Sequence, residues 1–145
     1  MKTLTKSISL FSAILATTAL SASAAEIAFD VDGINSNNGK IMIALYKGEA
    51  AYKNRKPTKH DAIAAQKGSI TVTFKDLPQG EYVIQVFHDE DNNGALGRNM
   101  VGMPTEGYGF SNNAQPNFGP ASYDDMKFSI ADASAVVKNG TTMIY

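Results

Sequence analysis

A short acidic segment offers the clearest metal-binding chemistry in this sequence. Asp89, Asp91 and Asn93 occupy alternate positions, and a glycine follows them. Alternate residues of a tight turn can direct their oxygens inward, glycine permits the bend, and calcium takes six to eight such ligands. The pattern matches the opening of an EF-hand loop, but Met100 stands where the bidentate glutamate belongs. A metal would instead occupy a different kind of loop site, completed by Glu106 or by backbone carbonyls of the following loop, with a calcium affinity on the order of 10⁻⁴–10⁻³ M.

The same segment has a second interpretation that needs no metal. Side chains of Asp and Asn often accept hydrogen bonds from backbone groups a few positions ahead of them. Asp89, Asp91, Asn92 and Asn93 would then form a network of Asx turns. The sequence leaves both interpretations open.

His88 beside Asp89 invites a catalytic interpretation, with Glu106 as a second carboxylate. Neighbouring residues of a strand point to opposite faces, so we expect His88 and Asp89 to diverge. The chain also contains no cysteine and no G-x-S-x-G motif. We therefore expect a protein that is not an enzyme, with a hydrolase built on His88 and Glu106 as the less favoured alternative.

A long segment rich in Gly, Asn and Pro, residues 92–125, carries aromatic and amide side chains. Its aromatic content argues against disorder, so we predict an ordered loop. The candidate residues for binding a sugar, another small ligand or a partner are Tyr108, Phe110, Asn112, Asn113 and Tyr123. A hydrophobic cluster beneath the loop, which would also include Phe118, is the more common use of such aromatics, and we favour it.

The elements that must position these residues alternate apolar and polar side chains with a period of two. The alternation occurs near residues 27–31, 41–45, 70–74, 82–86 and 126–130. This pattern places one face of each strand on a core and the other toward solvent. Turn-forming residues lie between the segments, so we predict an all-β protein. The fold would be a single antiparallel β-sandwich of about seven strands with one long ordered Gly/Asn/Pro-rich loop.

Three local predictions complete this fold. Asn139-Gly140 predicts a tight hairpin that joins residues 135–138 to residues 141–145. Residues 58–67 fit either a helix or a strand; we favour a strand that forms a hairpin with residues 69–75. A helical turn is expected within residues 48–56.

The N-terminal residues predict a signal peptide over residues 1–24. Lys2 and Lys6 precede a mostly apolar run, and Ala22-Ser23-Ala24 supplies the small residues of a cleavage site. The run is shorter than the roughly 20 residues that span a bilayer. The chain has no cysteine for a lipid anchor or a disulfide. We expect a β-sandwich domain at residues 25–145, periplasmic or secreted and without a transmembrane anchor.

The charge balance excludes one class of partner. Removing Lys2 and Lys6 from 13 basic residues leaves 11 against 14 acidic residues, a net charge of −3. Nucleic-acid-binding domains carry a basic patch instead, so no nucleic-acid partner is expected.

Three segments together resemble a known bacterial family. They are F-K-D-L-P-Q-G-E-Y at residues 74–82, H-D-E-D-N-N-G at residues 88–94, and G-M-P-T-E-G-Y-G-F-S-N-N at residues 102–113. The chain is similar to domain-of-unknown-function family 2141 over nearly its whole predicted mature length. The resemblance implies a secreted or periplasmic sandwich of the prealbumin-like or carboxypeptidase-regulatory-like kind, and it implies no reaction.

Two positions depart from the family pattern. Asp91 replaces a usual Asn, which adds a carboxylate, and Leu96-Gly97 replaces a frequent Asp, which removes one. We expect an exported, non-enzymatic binding or structural module. It would bind an unknown envelope partner or a small ligand, and calcium is the candidate ion at the acidic segment. A small-ligand or glycan-binding module that uses the loop aromatics is the alternative.

Overall fold

The computed structural model describes residues 24–145, and the predicted signal peptide lies outside them except for its last residue. Eight strands form two sheets, with two short α-helices and a 3-10 turn in the connections. The elements are β1 Ala25–Ile34, β2 Lys40–Lys47, α1 Glu49–Lys53, β3 Lys59–Ala64, β4 Gly68–Leu77, β5 Gly80–Asp89, β6 Tyr108–Phe110, the 3-10 turn Ser111–Asn113, α2 Tyr123–Met126, β7 Phe128–Ile130 and β8 Val136–Thr142.

Two packed sheets confirm the predicted all-β sandwich. The first sheet has the order β4-β1-β8, and the second has the order β3-β2-β5-β6. Strand β7 pairs with the beginning of β5, next to β6 along the same edge. Every pair is antiparallel except β1 with β8, which run parallel.

The main core lies between the sheets and follows the predicted alternation. Ile27, Phe29 and Val31 of β1 are completely buried against the second sheet's inner face. The residues that meet them from β2 and β5 are Ile41, Ile43, Leu45, Tyr82, Ile84 and Val86. Burial of large apolar side chains from both sheets is the main stabilising contribution in such a fold.

A second apolar cluster covers part of the outer face of the second sheet. It contains Tyr46, Val83, Phe110, Ala114, Ala121 and Met126, and partly buried aromatics including Tyr108 and Tyr123 pack against it. The predicted cluster beneath the long loop is therefore confirmed for three of its four aromatics. It is wrong for Phe118, which is fully exposed.

The predicted strand within residues 58–67 is present as β3, but its predicted partner was wrong. β3 pairs with β2, with Ile63 opposite Ile41, and α1 lies in the connection between them at the expected helical turn. Residues 65–67 then cross to the other sheet. Hydrogen bonds from Ala65 N–H to the Gly39 oxygen and from Lys67 N–H to Asn37 Oδ1 hold this crossing. A hairpin to β4 is thereby excluded.

The hairpin predicted at Asn139-Gly140 was also wrong, because β8 runs through both residues as one strand. A Cβ atom on Gly140 would lie 2.8 Å from the backbone oxygen of Asp30 on β1. The glycine therefore permits close approach of two parallel strands, a known role of glycine in strands.

The long loop contains more regular structure than its composition predicts. Within residues 92–125 the chain forms β6, the 3-10 turn and most of α2. No helix in residues 24–145 is both long enough and apolar enough to cross a membrane.

Candidate functional site

A small hairpin, residues 97–105, follows the acidic segment. Thr105 N–H donates to the Gly97 oxygen and Asn99 N–H donates to the Met103 oxygen, each over 2.9 Å. The Asn99 side-chain oxygen accepts the N–H groups of Val101 and Met103, which shapes the tip. We call this element the 97–105 hairpin.

Three predicted metal ligands meet at the base of the 97–105 hairpin. Carboxylate oxygens of Asp89, Asp91 and Glu106 lie within 4.8 Å of one another. Asp89 is 2% exposed and Glu106 is 8% exposed, whereas Asp91 faces solvent. Asn93 lies beside them, because its side-chain amide donates to Asp91 Oδ2 over 2.7 Å. The structure thus brings together the four residues that the sequence predicted.

Backbone N–H groups surround these carboxylates. Asp89 accepts the N–H of Asn93 and, over 3.0 Å, that of Gly94. Glu106 accepts the N–H of Glu90 over 2.9 Å and that of Gly97 over 2.7 Å. Asn92 forms no side-chain hydrogen bond within residues 24–145, but Asp89, Asp91 and Asn93 accept backbone N–H groups, so the Asx-turn network expected at this segment is present for these three residues. It leaves a lone pair on each carboxylate oxygen, so the same residues have the chemistry to hold a calcium ion.

The acidic cluster has no basic partner among the described residues. Ion pairs in residues 24–145 join Lys53 to Glu49 and Lys127 to Asp124, and His88 approaches Glu90 at 4.0 Å. None of these contacts includes Asp89, Asp91 or Glu106. Backbone N–H groups, rather than a basic side chain, face the two buried carboxylates, an arrangement that a bound cation would stabilise.

His88 is 0% exposed, and both of its ring nitrogens have partners. Its Nε2 lies 2.6 Å from the carbonyl oxygen of Asn38, which only accepts, so Nε2 carries the proton. Its Nδ1 then accepts from the Tyr145 hydroxyl at 2.8 Å, and that hydroxyl accepts the N–H of Asn35. Burial raises the pKa of Tyr145, which keeps the hydroxyl protonated as this chain of bonds requires.

His88 and Asp89 therefore face opposite sides of β5, as the strand geometry predicts. His88 holds the C-terminal Tyr145 in place, while Asp89 belongs to the acidic cluster. Neither nitrogen of His88 is available to a substrate in this arrangement.

A groove of about 690 Å³ lies on the outer face of the second sheet, beside the second apolar cluster. Gln85 and Phe87 of β5 and Tyr108 and Phe110 of β6 line it. One wall is the 97–105 hairpin, and the other is formed by residues 116–120.

Exposed apolar side chains concentrate around this groove. Val101 and Met103 of the 97–105 hairpin and Phe118 of the opposite wall line the groove, and Met100 lies next to Val101 on the hairpin without lining it. They are four of the six large apolar side chains exposed in residues 24–145. The candidate binding residues predicted from the sequence do not include Met100, Val101 and Met103, although an apolar group inside a turn-rich segment indicates such a site.

The structure separates the five residues predicted to bind a small ligand or a partner. Tyr108 and Phe110 line the groove, but Tyr123 does not: its hydroxyl donates to Glu81 over 2.7 Å and its ring packs against Tyr52. Burial is the largest cause that raises the pKa of Tyr123. The hydrogen bond to Glu81 and the negative charge of Glu81 raise it further.

Asn112 and Asn113 tie the long loop to β8. Two hydrogen bonds join Asn112 and Asn139: Asn139 Nδ2 donates to Asn112 Oδ1 over 2.7 Å, and the backbone N–H of Asn112 donates to Asn139 Oδ1 over 2.7 Å. Asn113 Oδ1 accepts the N–H of Thr142 over 2.9 Å. Both amides therefore act in the framework rather than in the groove.

Comparison with known proteins locates the chain in one family. Searches of curated proteins and of solved structures found no match. A family model described as "Uncharacterized protein conserved in bacteria (DUF2141)" matches residues 29–138, which span β1 to the middle of β8 and include both the acidic cluster and the groove. The chain therefore belongs to this bacterial family of uncharacterized proteins, DUF2141.

Proposed function

We propose that this protein is an exported binding module of the bacterial envelope that holds the apolar part of a small ligand in the groove. The concentration of exposed Met, Val and Phe side chains at the mouth of the groove carries the proposal. Contiguous exposed apolar surface is costly in water and commonly marks an interaction site.

The size and lining of the groove support a small ligand. Its volume of about 690 Å³ lies within the range of small-molecule sites, roughly 300–1,000 Å³. Apolar side chains from β5, β6 and both walls dominate the lining. Strands form the floor and short connections form the walls, a frequent arrangement for binding sites on sandwiches.

Two further features support the proposal. One favours a module that binds without catalysis, and the other favours a location outside the cytoplasm. Both nitrogens of the buried His88 are engaged in framework hydrogen bonds, which leaves the hydrolase alternative without an accessible base. Residues 1–24 carry the basic, apolar and small-residue regions of a signal peptide.

Binding of the neutral fluorophore N-phenyl-1-naphthylamine tests the groove. Val101→Asp places a charge at the mouth on an exposed position, and we expect the affinity to fall roughly tenfold, the equivalent of one buried Val side chain. Val136→Asp is the matched control, because Val136 is exposed on β8 and does not line the groove. Absence of binding by the wild type, or equal affinities of the wild type and Val101→Asp, would contradict the proposal.

A second candidate function, weak calcium binding, is supported by the acidic cluster. Asp89, Asp91 and Glu106 present converging carboxylates, two of them buried, without a basic partner in residues 24–145. Glu106 also holds Gly97 at the base of the 97–105 hairpin. An ion here would stabilise one wall of the groove.

Thermal unfolding in EDTA and in about 10 mM calcium tests this second function. At a Kd of ~10⁻⁴ M, calcium at about 100 times Kd stabilises the native state by ~2.7 kcal/mol. For a domain of this size the midpoint should rise by roughly 8–15 °C. Asp89→Ala should abolish the rise, whereas Asp132→Ala, an exposed carboxylate outside the cluster, should retain it. An unchanged midpoint in calcium would leave the hydrogen-bonded turn as the sole role of these residues.

A further inference from the structure

We propose that the ligand of the groove is a single-chain anionic amphiphile of the fatty-acid class. Its carboxylate binds Arg98 and its alkyl chain lies along the apolar lining. This inference rests on the proposed function, because it identifies the class of ligand that the same groove takes.

Arg98 supplies the charge complementarity. It is the one charged side chain that lines the groove, and none of the ion pairs in residues 24–145 includes it. Its Nη1 donates to the Gly102 oxygen over 2.9 Å, which fixes the guanidinium against the 97–105 hairpin. The other guanidinium donors match the two oxygens of a carboxylate. Arg98 is exposed, so a charged head group can remain partly hydrated while the chain is buried.

The lining suits an alkyl chain better than a peptide. An extended peptide would bind by adding to a free strand edge. At β6 that edge is occupied, since the N–H and the oxygen of Tyr108 both bond to Ile144 and Phe110 N–H donates to Thr141.

The lining also suits an alkyl chain better than a sugar. A sugar needs many hydrogen-bonding side chains, whereas the uncharged polar side chains that line the groove are Gln85 and Tyr108. The Gln85 amide already donates to Tyr52. Met103 at the mouth adds a flexible side chain that adapts to chains of different length.

Calorimetric titration below the micellar concentration tests the head group. Decanoate should bind the wild type about 5-fold more tightly than decyltrimethylammonium, the preference expected of one solvent-screened ion pair. Arg98→Gln should remove this preference and Arg98→Lys should retain most of it. Arg55→Gln is the matched control, because Arg55 is the chain's other arginine and lies outside the groove. The preference should shrink as ionic strength rises.

A series of chain lengths tests the alkyl part. Each methylene that the groove covers completely should tighten binding by about 4-fold. Equal affinities for the anionic and cationic amphiphiles, unchanged by Arg98→Gln, would overturn the head-group inference while leaving the binding groove intact. If neither amphiphile nor the naphthylamine probe binds, the proposed function fails as well. Binding only to phosphatidylcholine vesicles, or only with formation of dimers, would instead overturn the fatty-acid inference in favour of a membrane or a second copy.

Discussion

Replacement of Glu106 by Gln separates the two roles that this carboxylate can play. Its oxygens accept backbone N–H groups from Glu90, at 2.9 Å, and Gly97, at 2.7 Å. Glutamine keeps one accepting oxygen and turns a donor toward the other N–H group. The loss of one charge-assisted hydrogen bond lowers the free energy of unfolding by about 1.5–3 kcal/mol.

The same substitution removes a repulsion between buried charges. Carboxylate oxygens of Glu106 and Asp89 lie within 4.8 Å. Taking this limit of 4.8 Å as the charge separation and an effective dielectric constant of about 20, two like charges repel by about 3.5 kcal/mol. Asp91 is exposed and contributes less, because solvent screens it. The free energy gained by removing this repulsion exceeds the free energy lost with the hydrogen bond. In EDTA we therefore expect Glu106→Gln to be as stable as the wild type or up to about 2 kcal/mol more stable.

Calcium should reduce or reverse this difference in stability. The wild type gains ~2.7 kcal/mol when calcium is at about 100 times Kd. Loss of one carboxylate ligand that weakens binding tenfold reduces the gain to about 1.4 kcal/mol at the same concentration. The variant should therefore show at most about half of the calcium-dependent stabilisation of the wild type.

Denaturant unfolding in EDTA and in calcium measures both effects on the same samples. Glu81→Gln is the matched control, since Glu81 also accepts a hydrogen bond, from Tyr123, but lies outside the acidic cluster. It should keep the full calcium response. A clear loss of stability by Glu106→Gln in EDTA, about 1 kcal/mol or more, would refute the argument that repulsion outweighs the hydrogen bond. A full calcium response in the variant would refute the location of the ion.

Three further predictions concern the framework. Phe29→Ala, at a completely buried position of β1, should cost about 3–5 kcal/mol in denaturant unfolding, because it leaves a cavity between the sheets; a loss below about 1 kcal/mol would contradict the packing described. Gly140→Ala places a Cβ 2.8 Å from a backbone oxygen of β1 and should cost about 1–3 kcal/mol, while Lys138→Ala, exposed on the same strand, should be near neutral. The pKa of Tyr123 is raised by burial and by Glu81, so the folded state keeps its proton when the unfolded chain has lost it, and stability should fall as pH rises above the ordinary value of 10.0. Tyr123→Phe should make that fall shallower in unfolding measured from pH 8 to pH 11, and an identical pH profile would contradict the role of the Glu81 contact.

Sequence alone determined the parts of this protein that follow from local chemistry. Alternating side chains identified the strands that carry Phe29, Ile43 and Ile84, because a strand with one buried face requires that period. The acidic segment could also be identified from the sequence, since Asp89, Asp91 and the following glycine lie close together along the chain. Glu106 lies farther along the chain, so its inclusion among the predicted metal ligands did not follow from the acidic segment itself. In the structure the chain returns past the 97–105 hairpin and brings Glu106 close to Asp89 and Asp91.

Tertiary structure decided which strands became neighbours and where the groove formed. β3 and β4 adjoin in sequence but lie in different sheets, because residues 65–67 cross between them. The Asn139-Gly140 pair has the local chemistry of a turn, but its glycine meets Asp30 of a strand more than a hundred positions away. The groove likewise joins β5, β6 and two separate connections, and the fold buries Phe110 while it leaves Phe118 exposed. Such contacts depend on the pairing of distant segments, which no local pattern specifies.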